Sequence, residues 1–229
     1  MYLIPVPIDD TAVDTIPEAT LKVIRSTSYF VAERSKTARR YIRLLGHPKP
    51  QNEITVAEIP KHGSPDMGEI KDWLSGGNNV GILSESGCPG IADPGSEIVA
   101  WAHRHGIEVV SLVGPSSILL ALMASGFSGQ SFVFHGYLPT GRDELVKKLR
   151  SLESHAVKFS QSQIFIETPY RNRKLFESML QILRDDSRLS VHTGLTGLHA
   201  SSRTMTVKQW KRSGEIILKD DVPAVYIIG

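Results

Sequence analysis

Cysteine occurs once in the 229 residues, at Cys88, which excludes an intrachain disulfide and any metal site built on several thiolates. That usage is compatible with a reducing compartment. Long apolar runs are also missing. The longest resemble ILLALMA at 118–124, far short of the ~18 residues a membrane span requires. The opening MYLIPVPIDD has no basic stretch ahead of a hydrophobic one, so no signal peptide is read there. A cytoplasmic, soluble protein with no membrane partner is expected. No strong charge of one sign is present: the formal net charge is +2, so nucleic-acid binding would have to use a local patch.

Familiar catalytic signatures are absent as well. There is no G-x-x-x-x-G-K-[ST] phosphate loop and no G-x-G-x-x-G dinucleotide fingerprint, nor a G-x-S-x-G elbow. His103 and His105 stand two apart on a predicted helix, and His192 and His199 have no partner at metal-ligand spacing, so no metal is expected.

What is present is a strong α/β rhythm, in which apolar runs of strand length alternate with amphipathic segments of helix length. Strands are read at YLIPVP, SYFVAE, ITVAEI, NVGILSE and IEVVSLV. Helices are read over 17–27, 36–45, 65–75, from Pro94 to His105, and at SILLALMAS, which is apolar on nearly every side and expected to be buried. Residues 1–126 therefore form one parallel-sheet layer. From SFVFHGYLP the pattern restarts, with helices at TGRDELVKKLRSLES and RNRKLFESMLQIL and strands at QIFIET, LSVHTGL and VPAVYII. Two α/β domains, 1–130 and 131–229, with a cleft between them, are expected, the connection around Gly136 to Gly141 marking the boundary.

In open parallel sheets, ligands gather at the carboxyl ends of strands. Four segments sit at such ends: PVPIDD, AERSK, LSESGCPGIADPGS and LVGPSS. In the third, Gly87, Gly90 and Gly95 permit backbone shapes other residues resist. Asp93 and Pro94 suit the cap and first turn of the helix that follows. Cys88 has no histidine near it in sequence to activate it. The run ERSKTARRYIR is densely basic, with Glu33 beside it, and FIETPYRNRK at 165–174 repeats the theme with Glu167, Arg171, Arg173 and Lys174. Arginine forks match phosphates, so the two clusters suit a polyanion.

Six segments in order, VPIDD, AERSK, SESGCPGIADPG, VGPSS, SGFSGQSFVFHGYLP and ETPYR, resemble T-P-I-G-N, A-E-D-T-R, S-D-A-G-T-P-G-I-S-D-P-G, P-G-P-S-A, S-G with F-x-G-F-L-P, and E-S-P-H-R. Those motifs mark the tetrapyrrole methylase superfamily of S-adenosylmethionine-dependent enzymes. Within it the chain looks most like the ribosomal RNA small-subunit methyltransferase I family, whose members methylate a cytidine ribose 2′-hydroxyl in 16S RNA. The likeness runs from Tyr2 to Glu177.

The resemblance implies a two-domain α/β homodimer that holds S-adenosylmethionine in the cleft. The cofactor would be touched by Pro7 and Ile8, by Ser86, Gly87, Cys88, Pro89 and Ile91, by Ser116 and Ser117, and by Met123, with PAVYIIG backing the adenine. Substrate RNA would fall to Arg39, Arg40, Glu167 and Arg171, together with Glu33 and Lys36. Glu33, Glu85 and Lys36 would be the catalytic residues, with Glu33 or Glu85 orienting the hydroxyl or accepting its proton, since a positioned base adds roughly 10²–10⁴-fold to such a step.

Three departures stand out. Asp9 and Asp10 replace the glycine and asparagine after the first strand, and Arg34 replaces an acid. The family's late R-E-L-T-K-x-x-E reads TGLTGLHA, so Thr193, Gly194, Gly197 and Ala200 have lost its charges. Two other readings follow from these features: methylation of a tetrapyrrole or another small molecule, or a catalytically impaired member that binds cofactor or RNA.

Overall fold

The computed structural model describes residues 1–60, 66–214, 218 and 222–229. The chain divides into two compact units, Met1–Ser116 and Ser117–Gly229.

The first unit carries β1 (Tyr2–Ile4), α1 (Glu18–Ser26), β2 (Tyr29–Ala32), α2 (Ser35–Leu44), β3 (Thr55–Glu58), α3 (Met67–Ser75), β4 (Val80–Leu83), α4 (Ser96–Arg104) and β5 (Val110–Ser111). Its sheet has the order β3-β2-β4-β1-β5, and every pairing is parallel, as the alternating pattern requires. Parallel crossovers are right-handed, so reversing the direction of travel along the sheet moves the helices to its other face. One core accordingly packs Ile24, Ala38, Tyr41 and Ile42 of α1 and α2 against Ile4, Phe30 and Leu83. The opposite core packs Ile70, Ile98 and Ala102 of α3 and α4 against Val31, Val80 and Ile82. Gly81 makes room for Ile4 and Phe30 of the first core: a Cβ there would lie 2.6 Å from Ile4 Cδ1 and 3.0 Å from Phe30 Cδ1.

The start expected for α3 at Pro65 lies outside the described residues; Asp66 caps the helix by accepting the Gly68 N–H at 2.8 Å. At α4 the structure corrects the sequence reading. The helix begins at Ser96, with Gly95 as its cap at φ 124°. Asp93 therefore does not cap it, and Pro94 lies ahead of its first turn.

The second unit carries α5 (Ser117–Ser125), β6 (Phe132–Tyr137), α6 (Arg142–Phe159), β7 (Ser162–Glu167), α7 (Pro169–Ile182), β8 (Arg188–Thr193), β9 (Ser201–Thr206), α8 (Val207–Ser213) and β10 (Ala224–Ile228). Its sheet, β6-β7-β10-β8-β9, is mixed: β6 and β7 are parallel, and the remaining neighbours antiparallel. One face is covered by α6, α7 and α8, with Leu149, Phe176 and Trp210 packed on Phe165, Val191 and Tyr226. The other face receives α5, whose Ile118, Ala121 and Leu122 bury against Ile164, Val225 and Ile227. That packing places α5 with the second sheet, so the units divide at Ser116 rather than at residue 130. The helix is also not buried all round, since Leu119 and Met123 stay exposed.

Neither β9 nor α8 is anticipated from the sequence reading. The edge strand SSRTMT is polar and half-exposed, so it offers no apolar alternation. Helix α8 does have a readable signature, the capping box formed by Thr206 and Gln209.

Candidate functional site

The loops at the carboxyl ends of β1, β4 and β5 are fastened to one another. Val6 and Gly87 exchange backbone hydrogen bonds of 2.9 and 3.2 Å, and the Ser84 hydroxyl donates to Gly87 O at 2.6 Å. Gly87 has φ 72°, a left-handed shape that costs other residues roughly 1–2 kcal/mol. A Cβ built on it would lie 3.1 Å from Pro115 O and 3.7 Å from Ile8 Cγ1. The close backbone approach expected at this glycine is therefore made first by the protein's own Pro115 carbonyl. The Cys88 thiol lies 3.3 Å from the same oxygen, and burial raises its pKa, which leaves it a packing group. Next to it Pro89 is buried, while Ser86 and Ile91 face outward.

After β1, Pro7 is buried and Ile8 half-buried. Asp9, in place of the glycine, folds its carboxylate back onto Thr11, accepting the N–H at 2.9 Å and the hydroxyl at 2.6 Å. Those bonds hold its pKa low. The replacement thus closes a local turn instead of filling the space in front of the strand. Asp10 pairs with Arg40 on α2, and the Arg40 guanidinium lies 4.7 Å from the Tyr41 ring centroid. Tyr41 donates its hydroxyl to Glu85 O at 3.3 Å. The loops after β1 and β4 are both tied to α2 by these contacts.

Three carboxylates share the ends of β2 and β4. Asp93 Oδ2 accepts the Glu85 N–H at 3.1 Å. Burial, with the nearby charges of Glu33 and Glu85, pushes Asp93 up to about 6. One carboxylate oxygen of Glu85, Oε1, is buried without a hydrogen-bond partner. The site thus combines an acceptor in want of a donor with a carboxyl group that holds its proton close to neutrality. Sequence reasoning found Glu33 and Glu85 and missed Asp93, whose capping signal pointed elsewhere. Lys36, the third residue expected to be catalytic, lines an open cavity of about 590 Å³ with Thr37, Arg39, Arg40, Arg43 and Gln51.

Of the remaining expected cofactor contacts, Ser116 ends the first unit, its Cα 4.0 Å from the position of a Gly87 Cβ. Ser117 and Met123 belong to α5 of the second unit, where Met123 is 79% exposed. The side chains of β10, expected to back an adenine, are buried in that unit's two cores.

Glu167 also differs from expectation. Its side chain is 0% exposed and pairs at 2.9 Å with Arg171, itself 26% exposed. Its other oxygen accepts the Thr168 N–H at 2.8 Å, at the start of α7. Glu167 is therefore buried beside Arg171 and helps to position it, while its Oε2 makes no hydrogen bond among the described residues. Beside Arg171 stand exposed Arg173 and Lys174 and Tyr170, 80% exposed, an aromatic that the sequence reading passed over.

The segment TGLTGLHA closes the β8–β9 hairpin. Gly194 and Thr196 take φ 58° and 70°, Gly197 donates to Gly194 O at 2.9 Å and Ala200 to Gly197 O at 3.1 Å. His192 on β8 is buried, its ring nitrogens 2.7 Å from Ser190 Oγ and 2.9 Å from Ser202 Oγ. Burial lowers its pKa to about 4, so it stays neutral as a structural hydrogen-bonding group.

A sequence model of the family described as Tetrapyrrole (Corrin/Porphyrin) Methylases matches residues 1–209. The chain is 30% identical over 186 residues to a Bacillus subtilis protein named Ribosomal RNA small subunit methyltransferase I, covering 81% of this chain and 60% of that one. It is also 30% identical over 181 residues to the Thermotoga maritima protein of the same name, covering 78% and 76%. The chain thus spans about three fifths of the Bacillus relative's length. Among solved structures, the methyltransferase CobJ superposes with a TM-score of 0.60 at 17% identity, over 94% of this chain and 88% of that one. The cobalt precorrin-4 methyltransferase CbiF gives 0.60 at 18% identity, over 100% and 93%. At those identities the likeness speaks to the fold.

Proposed function

Because the chain belongs to the tetrapyrrole methylase family, we propose that it transfers a methyl group from S-adenosylmethionine to a ribose 2′-hydroxyl of small-subunit ribosomal RNA. One observation carries the choice of RNA. The basic helix α2 is fastened to the loops after β1 and β4 through Arg40–Asp10 and Tyr41–Glu85, so a surface for a polyanion adjoins those loops.

The residues present fit the cofactor. The loops after β1, β4 and β5 offer carbonyls, the hydroxyls of Ser86 and Ser116, and the apolar side chains of Ile8 and Ile91, with three carboxylates close by. A cationic sulfonium and an ammonium suit such surroundings. Pro7, Ile8, Ser86, Gly87, Cys88, Pro89, Ile91 and Ser116 would hold it. When bound, it supplies an electrophilic methyl group.

The protein's own part is positioning and proton handling. Holding the acceptor in line is worth several kcal/mol. Glu85 Oε1, buried and unpartnered, accepts the hydroxyl proton, and Glu33 orients the ribose. Arg39, Arg40 and Lys36 hold phosphates, and Arg171, set in place by Glu167, does the same in the second unit, where Tyr170 offers a stacking surface. The β8–β9 loop has no Lys, Arg, Asp or Glu over 194–200, so target grip falls on these groups. The proposal extends to a cytoplasmic homodimer of the 25.2 kDa chain, which light scattering in solution would weigh.

Mass spectrometry of small-subunit RNA from cells with and without the gene tests the reaction. The expected result is loss of one 2′-O-methylated nucleotide; an unchanged set of modifications overturns it.

A further inference from the structure

Charge is divided unevenly between the two units. Residues 1–116 hold 11 Lys and Arg against 14 Asp and Glu, and residues 117–229 hold 15 against 10. Such an asymmetry points to an anionic partner for the second unit. The basic helix of the first unit is partly engaged from within: Arg40 pairs with Asp10, and Arg39 donates to the Gln51 carbonyl at 2.6 Å, in the short turn Gln51–Glu53. Three cations of α6 are not held in this way. Lys147, Arg150 and Lys158 are exposed and, with Ser154, stand at helical spacings of three and four, so they share one face. None of the three has an ion pair among the described residues. From Leu145 to Phe159 the helix has one acid, Glu153, and it is buried. Glu153 is spent on the structure, accepting the Arg184 N–H at 2.8 Å and the Ser187 hydroxyl.

Where α6 meets the end of α7, Arg150, Ser154, Lys158 and Arg184 line a cavity of about 240 Å³ together with Glu153 and Val157. Arg184 opens a turn in which both acids are paired: Arg184 Nε with Asp186 at 3.3 Å, and Lys211 Nζ with Asp185 at 2.6 Å. The Lys211 hydrogen bond and charge hold the Asp185 pKa low, and Lys208 and Arg212 add to the effect, so the cations of α8 stand close to this turn. Helix α8 itself carries no acid. A basic face thus runs from α6 over the turn to α8. Arg171 and Arg184 mark opposite ends of α7, about 20 Å apart at 1.5 Å per residue, which separates this face from the Arg171 cluster. Its length selects the partner. The row from Lys147 to Lys158 spans about 16 Å, and a nucleic-acid strand places one phosphate per about 3.4 Å of helix axis. A small anion engages one part of the row, whereas a run of phosphates engages all of it.

We propose that the α6–α8 face is a second RNA-binding surface, which takes the phosphate backbone of RNA flanking the methylated nucleotide and has no part in the transfer. The proposal rests on the RNA reading above and adds a separate contact surface to it. Lys147, Arg150, Lys158 and Arg184 meet phosphates and read no base, so the surface supplies affinity for long RNA without sequence preference. A contact made equally before and during the reaction is uniform binding, so its effect falls on KM.

Binding to full-length small-subunit RNA from cells without the gene, measured across a salt series, tests it. A variant combining Arg150→Ala, Lys158→Ala and Arg184→Ala retains the Arg184 backbone N–H that Glu153 accepts. It is expected to lower the slope of log affinity against log salt by about 2, three phosphate contacts at roughly 0.7 each, and to raise KM for the long RNA roughly tenfold. On a short fragment carrying only the methylated nucleotide and its near neighbours, its KM should match that of wild type. Arg150→Lys with Arg184→Lys keeps the charges and should keep the slope; a loss there would assign the effect to packing and overturn the surface. Lys147→Ala, at an exposed site, repeats the test without risk to the fold, with a fall of about 0.7 in slope. Unchanged slopes, an equal rise of KM on the short fragment, or binding to anionic lipid vesicles that RNA does not displace also overturns the second surface while leaving the methyltransferase reading standing. Failure of wild-type protein to bind small-subunit RNA sinks the RNA reading itself.

Discussion

Asp93 and Glu85 bracket the glycine-rich loop after β4, and the Asp93 carboxylate closes it by accepting the Glu85 backbone N–H at 3.1 Å. The same carboxylate is half-buried among acids and titrates near 6, so the closure depends on pH.

The sign follows from where the proton is held. A carboxyl whose folded pKa lies above its unfolded value binds more protons when folded, so its contribution to stability falls as pH rises from about 4 to about 6. Asp93→Asn keeps an acceptor for Glu85 and removes the charge. Thermal melts from acid to neutral pH should show the variant gaining on wild type as pH rises through that window, then holding a constant lead. Parallel melting curves would remove the buried charge from the account.

His192 works in the opposite direction. Its folded pKa of about 4 lies below the unfolded value of 6.5, so its contribution is full above 6.5 and is lost as pH falls through that interval. His192→Gln should flatten the acid limb of the melting profile, at some cost at neutral pH from the broken contacts with Ser190 and Ser202. An acid limb as steep as wild type's would assign the loss to other groups.

Gly87→Ala adds a Cβ 3.1 Å from the Pro115 oxygen at φ 72°. About 1–2 kcal/mol of stability should be lost to the left-handed shape alone, and Gly87→Val should lose more. S-adenosylmethionine affinity should fall with it, because the Val6 bridge and the Pro115 contact both shift. Gly90→Ala is the control: its φ is 77° but nothing lies within 4 Å of the added carbon, so strain is its main effect. Wild-type calorimetry for Gly87→Val would displace the cofactor from this loop.

Arg171→Ala leaves the Glu167 carboxylate buried without its cation. Breaking such a pair costs on the order of 3 kcal/mol, measured by urea denaturation. Arg173→Ala, at an exposed site, should leave stability within about 0.5 kcal/mol of wild type. Equal effects of the two would contradict the positioning role given to Glu167.

Much of the first unit was legible in the sequence because strand and helix periods alternate there without interruption, and its five strands all appear. The second unit was read less completely. Polar Ser201–Thr206 has no apolar alternation to mark β9, and α5, apolar around nearly its whole circumference, cannot show from periodicity which sheet it covers. Within the site, the glycines and Glu33 and Glu85 were readable as residue types at strand ends. The partners were not: Asp93 looked like a helix cap, Glu167 like a surface acid, and the pairing of Arg39 with Gln51 depends on a turn packed against α2. Burial of a charge is a tertiary property, and neighbours in sequence do not reveal it.

The strand order has a consequence for synthesis. All five strands of the first sheet lie before Ser116, so that unit can mature as soon as it leaves the ribosome. In the second sheet the last strand, β10, fills the centre between β7 and β8. Until residues 224–228 emerge, β7 and β8 each present an open hydrogen-bonding edge. A stalled or truncated chain would therefore carry one finished half and one half exposed to misassembly and proteolysis.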